Sequence, residues 1–192
     1  TPPVSVLIIL NLGITLYGLY RGDSYNDFIL YYLAEGVIIL GVSFIKCLTS
    51  FLYHRLYSMA LGSLFFYGIY GGFYGTYAHF LLPTLTNHFP GTDTILTAPL
   101  NLLYAIGADT PLLVLGAWAG VHLFSYGYHF IGQAEYKRYA STGIYFLYPI
   151  PRILSVHLSI FMTGLLTLLI HLFWPMSSGS AHITTLLILT LT

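Results

Sequence analysis

Charge is what this sequence has least of: Lys and Arg together number 6, and Asp and Glu another 6, in 192 residues. At 6% charged against 57% hydrophobic, it lies far below the roughly 25% charged of a soluble domain. That imbalance marks a membrane protein and leaves no room for a separate soluble domain. Cysteine is nearly absent as well. The single Cys47 excludes an internal disulfide and any cysteine-based metal cage, and reads as a small apolar filler. Zero formal net charge without a basic run provides no electrostatic footprint for nucleic acid. Repeats, low-complexity tracts and long linkers are missing too, so residues 1–192 read as one transmembrane helical domain. The chain starts at Thr1 without a methionine, and its last apolar run, HITTLLILTLT, falls about eight residues short of a span. Further residues are therefore expected at one or both ends.

What is present is oil in long stretches. Apolar runs occupy residues 4–20, 27–53, 56–82, 109–132, 153–174 and 181 to the end. All read as helices, because open strands cannot span lipid and the alternation of a barrel is lacking. The expected fold is all-α: a polytopic transmembrane helical bundle with five to six spanning helices plus one interfacial helix. The interfacial element is residues 94–106, whose apolar part is short and broken by Pro99. If it lies flat, one side of the membrane receives Lys46, Arg55, Lys137, Arg138 and Arg152, and the other has only Arg21 as a cation. The positive-inside bias then places the N-terminus in the cytoplasm of a multi-pass cell-membrane protein. If it crosses, that asymmetry mostly disappears.

Residues 63–80, SLFFYGIYGGFYGTYAHF, combine two patterns. Gly68 and Gly72, and Gly71 and Gly75, are each four apart, which exposes backbone for the close approach of another helix or a second copy of the chain. Tyr67, Tyr70, Tyr74 and Tyr77 recur at intervals that put them on one helix face. That face suits packing with interhelical hydroxyl bonds; a polar path or the wall of a pigment or quinone site is the alternative.

Glu35 stands inside YYLAEGVIIL, roughly 12 Å into its helix. A carboxyl at that depth is expected to face the bundle and either pair or stay protonated. Lys46 shares its face but lies about 16 Å further along, too far to pair with it. Depth alone brings His79 and His171 to the level of Glu35, and the three together form a candidate metal set for iron, zinc or copper. His122, Ser125, Tyr126 and His129 share a face of their run, and His157 and His171 share one on theirs. His122 and His157 are candidate cofactor ligands, since axial haem or chlorophyll ligation needs only single helical histidines. His54, His88 and His182 read as interfacial and solvated. Serine hydrolase chemistry is disfavoured: Ser125 is near His122, but no G-x-S-x-G elbow surrounds it.

Several of these residues carry a family likeness. Tyr32, Glu35 and Lys46 at their spacing, Gly71 to Phe73 as GGF, His122 with Ser125, then IGQAEYKR at 131–138 and PRILSVHLSI at 151–160, form its pattern. From about residue 27 onward the chain resembles a prokaryotic integral membrane family, domain of unknown function 6498. The matching motif positions are Gly132, Glu135, Tyr136, Lys137, Arg138, Arg152 and His157. The resemblance implies a polytopic helical fold with a polar cluster toward the cytoplasmic face, and no particular activity. This chain departs from the pattern at Ile69 and Tyr77, where the family has histidines, with His79 displaced, and at His129, where it has asparagine. Read from the residues themselves, Glu135 with Lys137, Arg138 and Arg152 forms an ion-pair and hydrogen-bond network that clamps a connection onto helix ends near anionic lipid, with binding of an anionic head group or small ligand as the alternative; Lys46, Ser125 and Tyr136 are counted in the same structural polar network.

Three functions fit. The preferred one is a small structural or accessory subunit of a larger membrane complex, more a partner than an enzyme by itself, joined to other membrane subunits or to itself through Gly68, Gly71, Gly72 and Gly75. The second is a membrane redox or electron-transfer protein that binds haem, metal or pigment. The third is a small transporter or proton path using Glu35, against which stands the lack of an inverted repeat.

Overall fold

A computed structural model describes residues 4–81, 98–137, 150, 151, 153, 154 and 158. Among these every regular element is helical. They are α1 (Val4–Arg21), α2 (Tyr25–Tyr53), α3 (Tyr57–Leu81), α4 (Ala98–Asp109) and α5 (Leu112–Ser125). A π-helical segment, Tyr126–Gly132, continues α5, and a 3-10 turn, Glu135–Lys137, follows.

α2 is the longest element and the centre of the packing. Ser24 caps it: its Oγ accepts from the Asp27 amide at 3.4 Å while Asp27 Oδ2 accepts from the Ser24 amide at 2.7 Å. This reciprocal pair satisfies amides that the first helical turn leaves open. The chain enters it through a tight turn in which Gly22, at φ +77°, adopts the left-handed conformation glycine tolerates best. Gly18 lies so close to Phe28 that a Cβ there would stand 2.4 Å from the ring. Across the same turn the Tyr31 hydroxyl donates to Asp23 at 2.5 Å, and Arg21 Nε stands 3.5 Å from that carboxylate.

The far end of α2 closes differently. Arg55 takes φ 60°, and the Leu56 amide donates back to the Phe51 carbonyl at 2.8 Å. A six-to-one bond around a left-handed residue is the Schellman arrangement, usually built on glycine. α3 then returns along α2, with Tyr67 and Tyr74 buried, Tyr70 and Tyr77 half-buried, and Leu61, Phe65 and Phe73 turned outward. The tyrosine face expected from spacing is therefore the packed face.

The large apolar cluster joins Leu33, Ala34, Cys47 and Phe51 of α2 to Tyr74 and Ala78 of α3 and Leu102 and Ala105 of α4. A second cluster, Phe28, Tyr31, Tyr32, Ile14, Val114 and Trp118, fastens α1 and α5 to the other flank. Cys47 is fully buried, the filler its composition suggested.

The 12 residues of α4 measure about 18 Å, too short to cross a bilayer. It packs along α3 and α2 and meets the following helix at 112°. Among the described residues one helix, Asn26–Tyr53, is long and apolar enough to cross a membrane. The bent pair Pro99–Asp109 and Leu112–Gly132 passes the same test only when taken together. α3 has 25 residues, about 37 Å, but its glycines and tyrosines dilute its apolar character. The runs expected at 153–174 and 181 onward lie outside the described residues.

Candidate functional site

Every buried residue of α5 lies on one stripe: Val114, Trp118, His122 and Ser125. Steps of four, four and three keep them on the helix face that packs against α2. Opposite that face stands Glu35, ten residues into α2. His122 Nε2 lies 3.4 Å from Glu35 Oε1, and both side chains are almost wholly buried, at 8% and 3% exposure. The separation is long for a hydrogen bond and short for two groups withdrawn from water.

α3 closes the third side. The Tyr74 hydroxyl donates to the Leu33 carbonyl at 3.1 Å, and its ring end occupies the niche at Gly36, where a Cβ would stand 1.9 Å from the hydroxyl oxygen. The missing side chain at Gly36 lets a polar tyrosine reach α2 one residue from the acid. Tyr32, one turn before Glu35, completes the surroundings from α2 itself. Glu35 thus sits among an imidazole and two phenols. Such a set moves or shares protons, and its carboxylate and imidazole are also metal-binding groups.

Beyond His122 the contact between α2 and α5 stays polar. Ser43, Lys46 and Ser50 are buried on α2. Lys46 Nζ sits 5.7 Å over the Phe130 ring, Thr49 Oγ1 lies 3.2 Å from the Tyr126 hydroxyl, and Glu135 is near enough to act on the Lys46 charge. At the end of α2 the Tyr136 carbonyl accepts from Ser50 Oγ at 3.1 Å and from His54 Nε2 at 3.2 Å. Tyr53 packs edge-on to Tyr136, and Lys137 Nζ stands over both rings. The π-helical segment matters here, because its wider turn alters the angle at which Phe130 and the E-Y-K motif arrive.

Depth alone brought His79 and His171 to the level of Glu35; among the described residues His122 meets it, while His171 and the side chain of His79 lie outside them. The backbone of His79 belongs to the last turns of α3. His171, His157, Arg138 and Arg152 lie outside the described residues. Among those described, no group of three or more His, Cys, Asp or Glu side chains is placed to hold a metal. The turn of Glu135, Tyr136 and Lys137 docks onto α2 through a backbone carbonyl and ring contacts, and the Arg138 and Arg152 part of the expected clamp lies outside the described residues. His54, expected to be solvated, belongs to that clamp. Trp118, one turn before His122 on the same face, escaped sequence reasoning; its spacing from His122 was the available signal.

Glycine behaves unevenly. At Gly75 a Cβ would meet Pro99 Cα at 2.4 Å, so α3 and α4 touch backbone to backbone there. At Gly68, Gly71 and Gly72 nothing among the described residues lies within 4 Å of such a Cβ. These three instead line an apolar cavity of about 400 Å³ between α2, α3 and α4, walled by Leu40, Phe44, Tyr67 and Leu102.

A model of the family of unknown function DUF6498 matches residues 1–192, the whole chain. The chain belongs to this family. The likeness read from residue 27 onward thus extends over α1 as well. No curated protein and no solved structure matches the chain.

Proposed function

We propose that this chain is a multi-pass membrane protein whose working centre is the Glu35–His122 pair, a proton-binding site at membrane depth that serves a small transporter or proton path. The observation that carries the reading is the 3.4 Å approach of a buried carboxyl and a buried imidazole from two different helices. Buried ionisable groups inside apolar helices are costly and recur where protons or ions are handled. Histidine is the side chain whose ordinary charge change falls near neutral pH, and a carboxyl beside it gives the proton a second resting place.

Membrane placement is supported by the long apolar α2 and by an outward face of α3 that carries Leu61, Phe65, Ile69 and Phe73. A helix apolar on its outer side while its inner side holds tyrosines is built for lipid. Lys46, Arg55 and Lys137 gather at one end of α2 and Asp23 and Asp27 at the other, which supports a cytoplasmic N-terminus by the positive-inside bias.

The test is proton flux through the full chain reconstituted in liposomes, driven by an imposed potential and read with an entrapped pH-sensitive dye. The expected result is a flux well above that of empty liposomes that is lost in Glu35→Gln. Liposomes no leakier than empty ones, or a flux that survives Glu35→Gln, overturn the reading. A second reading, a subunit of a larger membrane assembly, is favoured by the open glycine-lined cavity. Native mass spectrometry from the source membranes tests it: co-purifying polypeptides support it, and a lone monomer defeats it.

A further inference from the structure

Two buried polar atoms on the His122 face of α5 have no hydrogen-bond partner among the described residues: Trp118 Nε1 and Ser125 Oγ. Both residues are almost fully buried, at 1% and 3% exposure. They flank His122 on the same α5 stripe, Trp118 about 6 Å before it along the axis and Ser125 about 4.5 Å after it. Leaving such a group unsatisfied costs about 1–3 kcal/mol. Two of them on one helix face, on either side of His122, therefore call for partners that are not protein side chains. A buried water typically makes about three hydrogen bonds to groups of this kind. Here the indole N–H donates, the carboxylate accepts, and the hydroxyl and imidazole can each do either.

The surroundings of the stripe differ in its two directions. Past Trp118 lie Val114, Phe28 and Tyr31, packed into the second apolar cluster, and the Tyr31 hydroxyl is committed to Asp23. Past Ser125 the α2–α5 contact carries Ser43, Lys46, the Thr49 and Tyr126 hydroxyls, and Ser50. Polar groups thus continue toward the docked E-Y-K turn, whereas in the opposite direction Val114, Phe28 and Tyr31 separate the pair from the buried Thr110 hydroxyl.

We propose that Trp118 and Ser125 hold an internal water site around the Glu35–His122 pair, and that water reaches it only from the Lys46–Tyr136 end of the α2–α5 contact. The inference rests on the proton-binding reading and deepens it, giving the pair a wet side and a dry side. Ser125 and Trp118 are positioning residues for this water.

Cysteine accessibility tests the claim in the full chain reconstituted in liposomes, with a small charged methanethiosulfonate as probe. Cys47 is buried and serves as the unreactive background. A thiol in a hydrated polar site ionises and reacts, whereas one in apolar packing stays protonated, so Ser125→Cys is expected to label at least about tenfold faster than Val114→Cys. Labelling of Ser125→Cys should also be faster from the side of the membrane where Lys137 is exposed. Equal rates at the two positions, fast or slow, overturn the proposal, as does faster labelling from the Asp23 side. The wild-type protein offers a second measurement that does not depend on folding of a variant. The Trp118 indole N–H, assigned by comparison with Trp174→Phe, should exchange with solvent deuterium faster than the backbone amides around Leu33. Slower or equal exchange overturns the water site. Failure of the two readings is separable: Glu35-dependent proton flux with a silent Ser125→Cys sinks the water site alone, and labelling at Ser125→Cys without such flux sinks the proton-binding reading alone.

Discussion

α2 is gripped on two flanks by opposite means. Toward α5 and the segments that follow it, its contacts beyond the Phe28–Trp118 cluster are polar: Glu35 meets His122, Thr49 meets Tyr126, and Ser50 meets the Tyr136 carbonyl. Toward α3 and α4 they are aromatic and glycine-based, with Tyr74 seated at Gly36, Phe44 edge-on to Tyr67, and a cavity left between. Adjacent residues, Glu35 and Gly36, belong to different flanks because successive helical positions turn by 100°. The difference is one of tolerance. A polar contact withdrawn from water loses heavily when one partner goes, while an apolar contact with a void answers only where atoms touch.

Removing His122 should therefore have the largest effect. His122→Ala leaves the buried Glu35 carboxyl without its imidazole and is expected to cost about 3 kcal/mol or more. Reversible unfolding in mixed micelles, titrated with a denaturing detergent, measures it, and His122→Gln should recover part of the loss by keeping a donor. A cost under about 1 kcal/mol would show that the polar flank does not hold α2.

On the other flank the corresponding probe is Gly75→Ala. Its methyl would be driven into the Pro99 backbone at 2.4 Å, where no side chain can swing aside, so about 1–3 kcal/mol of overpacking is expected. The same unfolding assay reads it. An unchanged midpoint would mean that α4 is not seated on α3.

The parts legible in the sequence are those that depend on one helix at a time. Hydropathy outlined α2 and α3 to within a few residues, and intervals of three and four put the α3 tyrosines on their packed face. That Glu35 needs a partner from another helix was also readable, because the apolar run around it gives it none. That His122 meets it was not: depth matching selects residues by level, whereas the meeting of Glu35 and His122 depends on how α5 is rotated about its own axis. Likewise two overlapping glycine patterns marked α3 for close packing, but only Gly75 is used that way among the described residues. The choice is made by where Pro99 starts α4, information far away in the chain. The docking of Tyr136 through its main-chain carbonyl has no side-chain signature at all.

A smaller effect is expected where the polar flank ends. Ala134 holds φ 55° between the π-helical segment and the E-Y-K turn, and its amide donates to the Ile131 carbonyl at 3.0 Å. The left-handed conformation costs a residue with a Cβ about 1–2 kcal/mol. Ala134→Gly relieves that strain but adds freedom to the unfolded chain worth about 0.5–1 kcal/mol. The net is a stabilisation of about 0.5–1 kcal/mol in the same assay. A destabilised variant would indicate that the Ala134 methyl packs against the docked turn.

The smallest effect tests the cavity. Gly71→Ala adds a methyl where nothing among the described residues lies within 4 Å, and helix propensity alone should stabilise α3 by about 0.5 kcal/mol. The isolated chain in micelles should thus gain slightly, in contrast to the loss at Gly75 one turn further on. The informative comparison is between that isolated chain and the same variant in its source membranes. If the glycine face is a seat for another helix, Gly71→Ala should stabilise the purified chain and yet reduce the polypeptides that co-purify with it. Opposite signs in the two settings would show that the open flank of α2 and α3 is held open for a partner. Matching small gains would show that the cavity is only unfilled space.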